Sequence, residues 1–144
     1  MSVELPFAPV DGIIRRNADG LRVSAEATAA LAEHIEEEGA SLAIVAAGRA
    51  DTDGRKTLMA SDFDVADVPT KESVALPIAP VDRIARLKID DRYRVSMDAR
   101  IALASVLEEF ADRAADAAAI LARHADRRTV TESDIETHFE LTGE

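Results

Sequence analysis

The sequence predicts an all-α protein in which a unit of three helices, short, long and short, occurs twice, with both units sharing one core. Three observations carry this. LPFAPVD at 5–11 returns as LPIAPVD at 76–82. Apolar residues recur at helical spacing through one long stretch of each copy. Each long stretch, about 27 residues at 1.5 Å per residue, makes a rod near 40 Å long that cannot cover its own apolar stripe. The other copy is the natural cover.

The repeat runs well past the first seven letters. VSAEA (23–27) answers VSMDA (95–99), GRKT (54–57) answers DRRT (126–129), and SDF (61–63) answers SDI (133–135). The offset is 72 from Val23 onward and 71 before it, so the second copy carries one extra residue near Tyr93. The expected division is 1–68 for the first unit, 69–73 for a linker and 74–144 for the second unit. A unit of this size is near the lower limit for an independent core, which favours packing copy on copy.

Within each copy the elements follow in order. The proline-containing lead opens a short helix, about 8–17 and 79–88, because a first helical turn has no intrahelical acceptor for the missing N–H. Asp11 and Asp82 are expected in that first turn, facing the positive end of the dipole. Asp19–Gly20 and Asp90–Asp91 are expected to break the helix. Ser24 and Ser96 then read as N-caps for long helices over 25–51 and 97–124. In copy two Leu103, Val106, Leu107, Phe110, Ala114, Ala117 and Leu121 form the stripe. Copy one keeps Leu31, Ile35, Leu42 and Val45 but has Glu38 where Phe110 stands. A last short helix follows, with Thr131 and Asp134 spaced as a capping box. Copy one has Met59 in place of the threonine, and Pro69 shortens its helix.

Composition narrows the function. There is no cysteine, hence no disulfide framework and no thiolate metal site. The N-terminus shows no secretory pattern and no apolar run is long enough to cross a bilayer, so a soluble cytoplasmic protein is expected. The net charge is −11, and only Lys56, Lys71 and Lys88 among the 17 basic residues are lysines. Acid-rich, lysine-poor chains with few aromatics resemble proteins of a very salty cytoplasm. His34, His124 and His138 have no partners at metal-site spacing, and DTDG (51–54) fails as a calcium loop at both ends, with Arg49 and Ala60 at the terminal ligand positions. No nucleophile–base arrangement or phosphate-binding glycine loop is visible, so no enzyme activity, cofactor or metal is expected.

LPIAPVDRIAR (76–86), RVSMDARIALASVLEE (94–109) and ILARHADRRTVTESDIE (120–136) resemble the archaeal histones, and their tandem arrangement resembles the doublet forms of that family, of a haloarchaeal type. The resemblance implies two histone folds crossed in a handshake within one polypeptide, with DNA along one curved edge. By resemblance the DNA-facing residues are Arg83 (Gly12 in copy one), Arg15 and Arg86, Arg22 and Arg94, and Lys56 with Thr57 answered by Arg128 with Thr129. The family's internal ion pair becomes Arg55 with Asp62 and Arg127 with Asp134. Its dimer-to-dimer contact becomes Leu121, His124 and Asp134, where copy one has Arg49, Thr52 and Asp62. The resemblance therefore implies two chains joined through copy two alone, with His124 paired to Asp134 across the contact.

An acidic chain is an unexpected DNA binder, but distribution outweighs net charge. The segments the resemblance assigns to the edge, 5–24, 54–58, 76–96 and 126–130, hold 12 of the 17 basic residues against six acids, a balance of +6. The expected function is a DNA-binding histone that bends, wraps or compacts duplex DNA on the chromosome with little sequence preference. The alternatives are a histone-fold interaction module and a regulator acting at chosen loci.

Overall fold

The structure, a computed structural model, describes residues 4–143. Among the described residues five α-helices alternate with four two-residue strands. The first copy contains α1 (Phe7–Ala18), β1 (Arg22–Val23), α2 (Ala25–Thr52) and β2 (Thr57–Leu58). The second contains α3 (Ile78–Ala85), β3 (Arg94–Val95), α4 (Met97–His124), β4 (Thr129–Val130) and α5 (Glu132–Thr142). Both long helices have 28 residues. Each begins at its predicted serine: Ser24 Oγ accepts from the Ala27 N–H at 3.0 Å, and Ser96 Oγ from the Ala99 N–H at 3.1 Å.

The copies interlock. β1 pairs in parallel with β4, and β2 with β3, so every strand finds its partner in the other copy. α1 packs on α4, α3 on α2, and the two long helices on each other. The core is rich in alanine, with Ala27, Ala43, Ala46, Ala50, Ala111 and Ala118 wholly buried, which lets helix backbones approach. Gly39 shows how tight this is: a Cβ there would lie 2.6 Å from Ile84 Cγ2 and 3.0 Å from Leu107 Cδ1. Ion pairs also cross between copies. Arg16 of α1 donates to Glu108 at 2.8 Å and to both oxygens of Asp112 at 2.9 and 2.6 Å, on α4.

The third element divides the copies. In copy two it is α5, 11 residues long; in copy one it is a single 3₁₀ turn, Ala60–Phe63. That turn ends before Pro69 is reached, because Asp64 takes the left-handed conformation, φ 61°, and its N–H closes back on Ser61 O. An aspartate tolerates this conformation better than most side chains. The chain then leaves along the core, where Val65 and Val74 are packed.

Two further expectations need correcting. α3 stops at Ala85, well before Asp90–Asp91, with the Arg86 N–H folded back on Asp82 O and Arg83 O and its guanidinium donating to Tyr93 O at 3.2 Å. Asp11 and Asp82 also lie beyond the first turn, since α1 and α3 begin one residue earlier than expected. They serve as side-chain acceptors instead: Asp11 takes Arg15 at 2.7 Å, and Asp82 takes Arg86 at 3.1 Å.

Candidate nucleic-acid interface

Two loop edges arise from the strand pairs. At the first, the Arg22 N–H donates to Arg128 O at 2.9 Å and the Ser24 N–H to Val130 O at 3.0 Å, placing Arg22 opposite Thr129. At the second, the Arg94 N–H donates to Lys56 O at 2.8 Å and the Ser96 N–H to Leu58 O at 3.1 Å, placing Arg94 opposite Thr57. Alternation along each strand turns Leu58, Val95 and Val130 into the core and Arg22 and Arg94 outward. The fold thus gathers Arg22, Arg128 and Thr129 at one edge and Arg94, Lys56 and Thr57 at the other.

Each second loop is anchored from below by a buried aspartate. Asp134, 2% exposed, accepts from Arg127 at 2.5 and 2.6 Å, from the Thr131 N–H at 2.8 Å and from the Thr131 hydroxyl at 3.0 Å. Asp62, 4% exposed, accepts from Arg55 at 2.9 and 3.0 Å and from the Met59 N–H at 2.7 Å. The Arg55 guanidinium chiefly holds the Asp62 carboxyl below its ordinary range. At Asp134 burial pushes the other way, and Arg127 with Thr131 outweighs it. Arg55 and Arg127 are therefore committed inward as loop struts.

The remaining cations are not equally available. Of the 12 edge cations, eight have an acid within ion-pair distance: Arg15, Arg16, Arg55, Lys56, Arg83, Arg86, Arg92 and Arg127. Several of those acids lie outside the edge segments, among them Glu4, which takes Arg83 at 2.8 Å, and Asp51, which takes Lys56 at 2.8 Å. The balance of +6 therefore overstates the positive charge offered outward. Among the described residues, Arg22, Lys88, Arg94 and Arg128 have no internal acid partner. Arg22 and Arg128 line one cleft with Asp19, Gly20 and Leu21. The hold of Asp51 on Lys56 escapes a reading of basic residues alone; comparing the copies at the 72-residue offset exposes it, because Asp51 stands where copy two has Arg123.

At the far end of α4, Leu121 is half-buried and His124 is exposed. Asp134 is held from its own chain by Arg127 and Thr131, three of the four hydrogen bonds falling on Oδ2 and one on Oδ1. Copy one is not stripped of apolar surface. Ile44 and Val45, 48% and 50% exposed, lie one turn back from Arg49, which is held by Asp62 O at 2.7 Å and Asp64 at 3.1 Å. His34 stacks on Phe139 with centroids 3.8 Å apart and shares a 2.7 Å hydrogen bond with Glu136, joining α2 to α5. Among the described residues no helix is long and apolar enough to cross a membrane, and no His/Cys/Asp/Glu group is placed to hold a metal.

Residues 3–66 and 74–137 each match the family described as histone-like transcription factor (CBF/NF-Y) and archaeal histone. One subunit of the archaeal histone HAN1 from Thermococcus zilligii is 48% identical over 60 residues, 42% of this chain and 87% of that protein. The crystal structure of the histone from Methanopyrus kandleri superposes with a TM-score of 0.68 at 26% identity, covering 92% of this chain and 91% of that one. A protein from Thermus thermophilus superposes with a TM-score of 0.72 at 16% identity, covering 98% of each chain, a likeness of fold alone.

Proposed function

We propose a function from one premise: the chain belongs to the family of histone-like transcription factors (CBF/NF-Y) and archaeal histones, which each of its halves matches. It is a DNA-binding doublet histone that bends, wraps or compacts duplex DNA on the chromosome with little sequence preference. The observation that carries this reading is the pair of loop edges, each displaying an outward arginine with no acid partner among the described residues, above a strut formed by an arginine and a buried aspartate. Arg22, Arg94 and Arg128 are the principal phosphate ligands. Thr57 and Thr129 supply hydroxyls beside them. Arg15, Arg83 and Arg86 bind more weakly, since each must leave a carboxylate. Arginine suits the task because its planar fork matches phosphate and is less tightly hydrated than lysine. Contacts of this kind fix position without reading sequence.

The units 1–68 and 74–144, joined by 69–73, act as one pseudo-dimer. Two chains associate through the second copy, using Leu121, His124 and Asp134, with His124 paired to Asp134 across the contact. The acid-rich remainder suits a salty cytoplasm of haloarchaeal type. There the entropic drive from counterion release is weak, and hydrogen bonds from arginine carry more of the binding.

The test is a titration of duplex DNA at low and at molar salt. Binding at low salt that weakens but persists as salt rises supports the reading. The many internally paired cations favour a second reading, an interaction module that leaves DNA to a partner. Absence of binding at both salts would promote it.

A further inference from the structure

At the β2–β3 edge the lysine of the second loop is already occupied. Lys56 Nζ donates to Asp51 Oδ1 at 2.8 Å and lies 5.1 Å from the centroid of the Tyr93 ring. The Tyr93 hydroxyl donates to the other oxygen of Asp51. The three groups close a ring across the end of α2, the second loop of copy one and the first loop of copy two. Asp51 is held below the ordinary carboxylate range, first by Lys56 and then by Tyr93, so it stays ionised.

The β1–β4 edge has no such ring. At the offset of 72, Asp51 becomes Arg123 and Lys56 becomes Arg128, and the place of Tyr93, just before the strand arginine, is held by Leu21. Arg123 donates to Ala18 O at 3.2 Å, and Arg128 has no acid partner among the described residues. A carboxylate in one copy thus stands where a guanidinium stands in the other.

A carboxylate on an ammonium is the same kind of contact as a phosphate on an ammonium. For Lys56 to hold DNA, one anion must replace another. Such an exchange releases no net counterion and so contributes almost nothing to salt-dependent affinity. The pair is also weak enough to open, because both side chains are about half exposed, 53% for Lys56 and 45% for Asp51.

We propose that Asp51 is a built-in competitor of DNA for Lys56, so that a duplex seats first on the β1–β4 edge and engages the β2–β3 edge last. This rests on the DNA-binding reading above. The consequence is a polar interface on a molecule whose two strand-paired edges share one backbone arrangement.

The test is an anisotropy titration of a short labelled duplex between about 0.1 and 1 M salt. Asp51→Asn keeps the shape and frees the lysine. Its log–log slope is expected to steepen by about 0.9, roughly eightfold in affinity over that tenfold range of salt. Asp51→Ala, with no group to hold Lys56, is expected to show the same change, and thermal melting confirms that each variant folds. Adding Lys56→Ala to Asp51→Asn is expected to remove the gain. A gain that survives without Lys56 would reflect net charge alone and overturn the proposal. So would folded Asp51→Asn and Asp51→Ala variants that bind as the wild type does. Wild-type protein that binds no DNA at any salt would sink the DNA-binding reading itself, and the proposal with it.

Discussion

At one end of the molecule Arg22 and Arg128 share a cleft, and neither has an acid within ion-pair distance among the described residues. At the other, Arg94 shares its edge with Lys56, which Asp51 and Tyr93 hold. The backbones of the two edges are alike: parallel two-residue pairs, serine caps, and Arg–Asp struts of the same spacing. The difference lies in three side chains at matching places of the two copies: Asp51 against Arg123, Lys56 against Arg128, and Tyr93 against Leu21. A duplicated unit can keep its fold while its surface chemistry diverges, because the core positions that set the fold are not those that meet a partner.

The same contrast runs through the struts, and there the largest effect is expected. Asp134 receives four hydrogen bonds and starts an 11-residue helix, whereas Asp62 receives three and starts a single turn. Removing either leaves orphaned donors, with the arginine able to reach water. Asp134→Ala should cost about 2–3 kcal/mol, and Asp62→Ala about 1–2 kcal/mol. Chemical denaturation at one fixed salt would measure both. Equal losses would mean that the longer helix adds nothing to its strut.

A smaller effect follows from pH. Both aspartates have folded-state values depressed below the ordinary carboxylate range. Their contribution is complete above that range and is lost as pH falls through the folded values, because the unfolded chain takes up protons first. Stability should therefore fall through the acid range, and Asp134→Asn should flatten that fall more than Asp62→Asn. Melting temperature against pH for the three proteins would show it. An unchanged profile in both variants would place the acid sensitivity elsewhere.

Much of this fold is legible in the sequence because local signals and the repeat agree. Ser24 and Ser96 mark the starts of α2 and α4, and the seven-residue spacing of Arg55 with Asp62 and Arg127 with Asp134 matches pairs that the folded loops close. The end of α3 is not legible, because it depends on Arg86 reaching Tyr93 O across a turn. Nor is the loss of copy one's third helix, which turns on Asp64 adopting φ 61°. The surface charge is the least legible of all. Arg16 with Asp112 and Arg83 with Glu4 join residues 96 and 79 apart, so counting charges along segments assigns to the edge cations that the fold has already used. The candidate site is thus half readable: its positions follow from the repeat, and their availability follows only from the packing.

The inequality of the two edges can be read in a single comparison. The salt dependence of duplex binding is compared between Arg22→Ala/Arg128→Ala and Lys56→Ala/Arg94→Ala, with melting curves confirming that both fold. The first pair removes two unpaired phosphate ligands and should flatten the log–log slope by about 1.8, while the second removes one unpaired and one occupied ligand and should flatten it by about 0.9. Equal losses from the two pairs, or a greater loss from the second, would contradict it.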